Sequence, residues 1–221
     1  MQLGRTGQIK TMTGPEFDDE FRRQFLDLLR WRRDVREFQT AALPAGAFER
    51  LVDLASLAPS VGLSQPWRFV LVESPEARGA IRGSFQRCNA DALLGYSGER
   101  AALYARMKLA GLSDAPCQFA VFADMEVVQG HGLGRQTMQA TIEYSAVMAI
   151  HTLWLAARAE GIGLGWLSIL DPADVAAALD VPASWKLIGY FCLGYPLRAA
   201  SIPTLETQGW EARSAPVILT R

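Results

Sequence analysis

One segment in the second half of the chain constrains the fold more than any other. Residues 135–160 have the apolar spacing of a long α-helix, and beyond Ser145 apolar side chains occur nearly all round it. Gly161 follows at the position of a C-terminal cap. Because such a helix is too apolar to face water, we expect it in the centre of a core or at a subunit interface. Its longest apolar stretch, residues 146–157, is interrupted by His151 and Thr152 and is too short to span a membrane.

Around this helix the sequence contains strand-like and helix-like segments. Strands are predicted over residues 67–73, 117–123, 164–170 and 187–193, and residues 216–219 fit a final edge strand. Helices are predicted over residues 17–31, from Pro44 onward, over residues 75–85 and in a short segment after Asp171. No repeat or long linker divides the chain. We therefore expect a single α+β domain over residues 17–221 with a central sheet, preceded by a flexible N-terminal arm, residues 1–16.

Composition argues against several classes of protein. The 221 residues are 50% hydrophobic and carry a net charge of −1, which gives no electrostatic attraction to nucleic acid or to a membrane surface. The three cysteines form no CxxC pair, and the two histidines stand at no metal-ligand spacing, so no metal site is expected. His151, inside the apolar helix, is interpreted as a packed core residue. The N-terminus lacks the apolar segment of a signal peptide, which predicts a cytoplasmic protein.

Two glycine-rich segments resemble ligand-binding loops. Residues 130–134 (GHGLG) lie between a strand and a helix, where dinucleotide-binding folds hold a phosphate. Their spacing is GxGxG instead of GxGxxG, and no acidic residue follows about 20 residues later, so a flexible loop is the better interpretation. Residues 161–165 (GIGLG) follow a helix and precede a strand. We interpret them as a tight turn that brings backbone N–H groups close to a flat ligand.

A basic cluster follows the first helix. Residues 32–36 (RRDVR) carry three guanidinium groups, whose planar forks suit the oxygens of a phosphate dianion. The alternative is a solvated basic helix end, favoured by the helix dipole. Asp34 weakens a pure phosphate clamp, so its presence suggests another role. The neighbouring arginines favour its charged form, and we expect it to be an anion at neutral pH.

Three motifs together resemble the nitroreductase family of flavoproteins in order and spacing. They are residues 32–38 (RRDVREF), 58–67 (APSVGLSQPW) and 161–168 (GIGLGWLS), and the resemblance extends from about residue 21 to residue 213. Further details are similar to the branch of that family that consumes reduced FMN with O2. Asp34 stands where many members have serine, and Leu63 stands where they commonly have asparagine. The segments 165–172 (GWLSILDP) and 108–112 (KLAGL), the latter together with Ala115-Pro116, also resemble that branch.

The resemblance implies a nitroreductase-like fold, with a central, mostly antiparallel sheet surrounded by helices in a domain-entwined homodimer that binds FMN between its subunits. The implied FMN-binding residues are Arg32, Arg33, Asp34, Val35, Arg36, Ser60, Leu63, Leu109, Ser168 and Arg213. Of these, Arg32 and Arg36 would hold the phosphate together with a tail arginine, best matched by Arg213. Ser60 and Leu63 would reach the flavin of the partner subunit.

The resemblance also implies a reaction. Reduced FMN would be the substrate, and its O2-dependent fragmentation would give 5,6-dimethylbenzimidazole, the lower ligand of vitamin B12, and erythrose 4-phosphate. Asp34 and Ser168 are the candidate catalytic residues, with Ser168 near the N5–C4a edge of the flavin. The alternative for Ser168 is a serine that caps the following short helix. A lid over about residues 88–113 would exclude solvent through apolar side chains, among them Leu94, Tyr104, Met107 and Leu109.

Other functions remain open at this point. An NAD(P)H-dependent nitroreductase or flavin reductase would keep FMN as a bound cofactor, but Asp34 and Leu63 argue against it. A non-catalytic FMN carrier would explain the phosphate clamp but not a carboxylate beside the flavin. A Rossmann-type dehydrogenase built on residues 130–134 is a more distant alternative. Electrons would come from NAD(P)H on this enzyme or from a separate flavin reductase, and the lack of a nicotinamide fingerprint favours the second.

Overall fold

The structure is a computed structural model that describes residues 14–106 and 111–221. Its helices are α1 (Asp19–Trp31), α2 (Ala47–Ala55), α3 (Pro75–Leu94), α4 (Gly98–Arg106), α5 (Gly111–Asp114), α6 (Thr141–Ala159), α7 (Pro172–Ala178) and α8 (Thr204–Thr207). Its strands are β1 (Trp67–Leu71), β2 (Cys117–Asp124), β3 (Gly163–Leu167) and β4 (Trp185–Gly194), and Val61–Leu63 forms a short 3-10 helix. Most of the predicted N-terminal arm and the predicted lid residues Met107 and Leu109 lie outside the described residues.

The four strands form one antiparallel sheet in the order β1-β2-β4-β3. This confirms the predicted α+β class with a central antiparallel sheet. The inner strands β2 and β4 pair from Cys117↔Leu193 to Asp124↔Trp185, with a bulge between Val121 and Phe122. Successive side chains of β2 point to opposite faces and are nearly all buried, so both faces of the sheet must be covered.

Helices cover the two faces of this sheet and build two cores. On one face, Phe119 and Phe191 pack with buried residues of α2 and α6. On the other face, Phe122 and Tyr190 pack with buried residues of α3 and α7. Eight residues of α6 are buried, which explains the nearly continuous apolar character of this helix.

The central helix α6 differs from the prediction in two respects. It begins at Thr141 instead of Arg135, because residues 136–140 form bends and a turn, and the turns before them, residues 127–135, pack against residues 60–65. Positive φ angles at Gly130, His131, Gly132 and Gly134 keep this preceding segment out of a right-handed helix. The predicted burial of His151 is wrong. It lies exposed on the outer face of α6, the face turned away from the sheet.

Several other boundaries also differ. Helix α3 continues to Leu94, so the first part of the predicted lid extends a helix instead of forming an irregular excursion. The predicted strand over residues 216–219 does not form, and Val217 and Ile218 are 87% and 84% exposed. The free edge of β3 is bridged by Asp34 instead of by the tail.

Candidate active site

The basic cluster leaves the end of α1 and runs along the free edge of β3. Asp34 forms a parallel bridge with Leu164, and the Val35 N–H donates to the Leu164 carbonyl at 3.0 Å. Farther along, the buried Phe38 bridges Pro196, just after β4. The cluster is therefore fixed to the sheet by backbone pairing and is not merely a solvated helix end.

Two glycines of β3 make this close approach possible. A Cβ on Gly165 would lie 2.2 Å from the Val35 carbonyl oxygen, and one on Gly163 would lie 2.7 Å from Val35 Cγ2. The interpretation of residues 161–165 as one turn facing a ligand is wrong for these two positions, because the chain's own segment at Val35 occupies that space. Gly161, with a φ of +75°, alone forms the turn after α6.

Asp34 is held from both sides by groups that favour its anion. Its Oδ1 accepts a hydrogen bond from the Trp166 N–H at 2.9 Å, and its Oδ2 lies 3.6 Å from Arg36 Nε. Burial nevertheless raises the pKa of Asp34 above its ordinary value, outweighing this hydrogen bond and the charges of Arg36 and Arg32. The shift is opposite to the one expected from the arginines alone. A proton therefore binds Asp34 more readily than it binds an exposed aspartate.

Trp154 of α6 positions the basic cluster, and it was not among the predicted site residues. Its indole Nε1–H donates to the Arg33 carbonyl at 3.1 Å. The Arg32 guanidinium lies over its ring, 4.7 Å from the centroid. A tryptophan in an apolar helix looks like core packing. The only signal in the sequence is that a buried indole N–H needs an acceptor.

A cavity of about 140 Å³, here called the arginine cavity, collects the predicted phosphate-binding residues. It is lined by Arg32, Arg33, Asp34, Arg36, Pro203, Thr204, Leu205 and Arg213. Burial lowers the pKa of Arg32 and of Arg33, and the charge of Arg213 lowers both further. Arg33 Nε is buried without a hydrogen-bond partner among the described residues. Guanidinium groups this close repel one another, and a bound dianion would relieve that repulsion.

A second cavity, of about 360 Å³, adjoins the arginine cavity. Both are lined by Arg33, Asp34, Arg36 and Thr204, and the second also reaches Val35 and Arg198. Asp34 therefore lies where the two cavities meet, and the combined space can take a ligand larger than a phosphate group.

The predicted residues Ser60 and Leu63 do not line either cavity of their own chain. The Ser60 hydroxyl accepts a hydrogen bond from the Gln65 N–H at 3.1 Å. Leu63 has a φ of +56° and is 69% exposed, and its carbonyl accepts a hydrogen bond from Gln129 Nε2 at 2.7 Å. The loop thus presents an apolar side chain outward from a backbone that is held in place.

Ser168 is exposed immediately after β3, two residues beyond Trp166. It does not cap α7, because the Asp171 carboxylate accepts the Ala173 N–H at 2.8 Å and fills that role. It also does not line the arginine cavity. Its hydroxyl is therefore open to the surface on the strand segment that holds Asp34.

Within residues 14–106 and 111–221, no helix is long and apolar enough to cross a membrane. The same parts of the chain contain no group of three or more His, Cys, Asp or Glu side chains that could hold a metal ion. Burial raises the pKa of Cys117 to about 11 and that of Cys192 to about 12, so neither thiol ionises at neutral pH.

Comparisons with known proteins agree with the motifs. Residues 29–195 match the nitroreductase family. The chain is 53% identical over 209 residues to the 5,6-dimethylbenzimidazole synthase of Rhodospirillum rubrum, covering 95% of this chain and 99% of that protein. It is 43% identical over 195 residues to the 5,6-dimethylbenzimidazole synthase of Rhodobacter capsulatus, covering 88% and 94%.

A solved structure shows the same fold. Oxidized iodotyrosine deiodinase bound to FMN and 3-iodo-L-tyrosine superposes with a TM-score of 0.68 at 22% identity, covering 89% of this chain and 97% of the other. Since the family match and the relatives extend over most of the sequence, the chain belongs to the nitroreductase family, as its three motifs predicted.

Proposed function

We propose that this protein is a 5,6-dimethylbenzimidazole synthase, an enzyme that uses O2 to fragment reduced FMN into 5,6-dimethylbenzimidazole and erythrose 4-phosphate. The observation that carries this proposal is the 53% identity, over nearly the full length of both chains, to the Rhodospirillum rubrum protein of that name. The arginine cavity, with a carboxylate at its edge, provides a site that suits such a substrate.

In this proposal Arg32, Arg36 and Arg213 bind the FMN phosphate. They line one small cavity, and guanidinium forks pair well with phosphate oxygens. Trp154 supports the cluster through the Arg32 guanidinium and the Arg33 carbonyl. This support reduces the conformational entropy that the arginines lose when a ligand binds. Arg33 adds positive charge, and Val35 lines the adjoining cavity.

The site is completed across a homodimer. Ser60 and Leu63 contact the flavin of the partner subunit in this proposal. Leu63 suits that role because its side chain is 69% exposed while its backbone is held by Gln129.

Reduced FMN supplies both the electrons for O2 and the atoms of the benzimidazole. Asp34 would accept or deliver a proton at Oδ2, because its Oδ1 is already engaged by the Trp166 N–H. Its raised pKa brings the carboxyl group closer to the working pH than an exposed aspartate would be. Ser168 would donate a hydrogen bond to the flavin ring from the end of β3. Leu109 would complete the lid, and that residue lies outside the described part of the chain.

Reduced FMN would be supplied by a separate flavin reductase, because the sequence has no nicotinamide-binding fingerprint. The glycine segment 130–134, the best candidate for one, packs instead against the loop at Gly62, where a Cβ on Gly130 would lie 2.5 Å from the Gly62 carbonyl oxygen. The alternative is that this enzyme reduces FMN itself with NAD(P)H. Steady oxidation of NAD(P)H by the protein would distinguish the two.

The test is to mix the protein with reduced FMN in air-saturated buffer and to identify the products by mass spectrometry. We expect 5,6-dimethylbenzimidazole and erythrose 4-phosphate, with little or none of either product from Asp34→Asn protein run in parallel. Intact FMN and hydrogen peroxide as the sole products would contradict the proposal. Steady oxidation of NAD(P)H with tightly bound yellow FMN would then identify a nitroreductase or flavin reductase. Slow release of unchanged flavin would identify a carrier.

A further inference from the structure

The short helix α8 ends in a turn that fixes the direction of Trp210. The Gly209 N–H donates to the Glu206 carbonyl at 3.0 Å, and the Trp210 N–H donates to the Leu205 carbonyl at 2.8 Å. Gly209 has a φ of +75°. This pair of hydrogen bonds around a left-handed glycine is the Schellman motif, in which the residue after the glycine turns back over the helix. Trp210 is therefore held relative to Leu205, a residue of the arginine cavity wall.

The ring of Trp210 packs on the segment that carries α4. It meets Tyr96 edge to face at 5.4 Å and Tyr104 at 6.3 Å between centroids. The Arg100 guanidinium lies 5.0 Å from the Trp210 ring centroid, and its Nη1 donates to the Trp210 carbonyl at 3.3 Å. Tyr104 in turn donates to Asn89 Oδ1 of α3 at 2.9 Å. These contacts attach the tail to α3 and α4.

The tail segment, residues 203–213, also forms one wall of the arginine cavity. Pro203, Thr204, Leu205 and Arg213 contribute to it, opposite Arg32 and Arg36 of the basic cluster. Arg213 lowers the pKa of both Arg32 and Arg33, which shows that the guanidinium groups of the two walls repel one another. A phosphate dianion between them replaces this repulsion by attraction and draws the tail segment onto the basic cluster.

We propose that Trp210 is a positioning residue that transmits phosphate occupancy of the arginine cavity to α4. When the phosphate holds Arg213, the tail segment is ordered, and Trp210 then holds Tyr96, Arg100 and Tyr104 in place. A flavin without a phosphate places no negative charge between the two walls of the cavity. The amides of α4 are then less protected from hydrogen exchange. The inference rests on the proposed function for the identity of the phosphate-bearing ligand, reduced FMN. It adds that the phosphate orders a helix which it does not touch.

The test is amide hydrogen exchange of residues 98–106 in the full-length protein under anaerobic conditions, with reduced FMN and with reduced riboflavin at saturation. In wild-type protein we expect reduced FMN to slow exchange in α4 by about three- to tenfold, the range for one aromatic pair, and riboflavin to leave it unchanged. Trp210→Ala should lose this protection while binding reduced FMN within about threefold of wild type, since the ring does not line the cavity. Trp210→Phe should retain most of it.

Arg100→Leu provides a second variant, at an exposed position where the fold is not at risk. It should reduce the FMN-dependent protection without abolishing it, because the aromatic contacts remain. Equal FMN-dependent protection in wild-type and Trp210→Ala proteins would overturn the inference, as would equal protection by riboflavin and FMN in wild-type protein. Product analysis tests the proposed reaction independently of the role of Trp210. Benzimidazole formation without phosphate-dependent protection refutes only the role of Trp210, and protection without benzimidazole refutes only the proposed reaction.

Discussion

The carboxylate of Asp34 and the backbone amide of Trp166 are joined by a hydrogen bond of 2.9 Å, which ties the loop after α1 to strand β3. The backbone bridge at Leu164 and the missing Cβ of Gly165 support the same contact. Oδ1 of Asp34 is thus committed to structure, and Oδ2, which lies 3.6 Å from Arg36 Nε, is the oxygen that we propose for proton transfer. This division predicts that conservative and truncating substitutions of Asp34 have different effects.

Asp34→Asn should separate binding from chemistry. Its amide oxygen can still accept the Trp166 N–H, so we expect the variant to fold and to bind reduced FMN nearly as well as wild type, yet to form little or no benzimidazole. The flavin should instead return as intact FMN with release of hydrogen peroxide. Asp34→Ala leaves the Trp166 N–H unpaired and should lower the free energy of unfolding by about 1–3 kcal/mol. Wild-type product yield from Asp34→Asn would remove Asp34 from the mechanism.

Because the pKa of Asp34 is raised, the difference in stability between wild type and Asp34→Asn should depend on pH. Because the folded-state pKa lies above the unfolded one, ionisation of Asp34 costs stability. This cost grows as the pH rises from about 4 through the folded-state pKa, and it is absent at lower pH. We therefore expect Asp34→Asn to gain stability relative to wild type between acidic and neutral pH, as measured by urea unfolding. A constant difference across this window would contradict the assigned direction of the pKa shift.

Ser168→Ala should change the fate of the flavin without changing the fold. Ser168 is exposed and does not cap α7, so the free energy of unfolding should stay within about 0.5 kcal/mol of wild type. Reduced FMN should bind nearly as well as to wild type. Its oxidation, monitored by stopped flow, should give intact FMN and hydrogen peroxide in place of most of the benzimidazole. Ser168→Thr, which keeps a hydroxyl, is the matched control. Unchanged product yield from Ser168→Ala would exclude a direct role.

The sequence predicted those parts of the fold and site that depend on local pattern. The strands at Cys117 and Leu187, the apolar helix α6 and the arginine cluster all have such patterns, and the tail arginine at 213 came from the family resemblance. The role of Gly163 and Gly165 could not be read locally, since it depends on Val35 lying across β3. The same holds for Trp154, whose ring supports an arginine that follows a different helix, α1. The start of α6 was missed because residues 136–140 form bends and a turn between the helix and the segment that packs on a distant loop.

Arg32→Ala and Arg36→Ala should each weaken the binding of reduced FMN by about tenfold or more, because a charge-assisted hydrogen bond contributes about 1.5–3 kcal/mol. Reduced riboflavin, which lacks the phosphate, should bind wild type and variants about equally. Arg30→Ala is the control, since Arg30 is 63% exposed and pairs with Asp27 outside the cavity. Anaerobic titration measures both affinities. Equal loss of affinity for riboflavin and FMN would show that the arginines are structural.

Gly165→Ala should disrupt the site by displacing the segment that packs against β3. Its new methyl group would lie 2.2 Å from the Val35 carbonyl oxygen, so the segment that carries Asp34 must move. We expect a loss of about 1–3 kcal/mol of stability, as for other overpacked sites, together with weaker flavin binding. Gly79→Ala is the matched control, because Gly79 lies within α3, and no atom beyond its chain neighbours and its own helix backbone lies within 4 Å of the new methyl group. That substitution should stabilise the helix by about 0.5–1 kcal/mol.

The exposed apolar surface of α1 and α6 predicts the homodimer. Helix α1 has no buried residue, and Phe21, Phe25 and Trp31 are 40–44% exposed along it. They border an open depression of about 630 Å³ that reaches Arg158 at the end of α6. The outer face of α6 adds Tyr144 and Met148, which are 56% and 43% exposed. Apolar surface of this extent is typical of a subunit interface, and a second copy of the chain would also bring Leu63 to the partner's flavin site.

We therefore expect light scattering at low micromolar concentration to give a particle of about 48 kDa, twice the 24.2 kDa of one chain. Phe25→Asp places a charge inside the predicted interface and should give monomers that bind FMN poorly, since each site would lose the partner's loop. Gln86→Asp, at an exposed position on α3, should leave the dimer and its FMN affinity intact. A folded 24 kDa species of the wild-type chain would refute the dimer. Full FMN affinity in monomeric Phe25→Asp protein would show that each subunit holds a complete site.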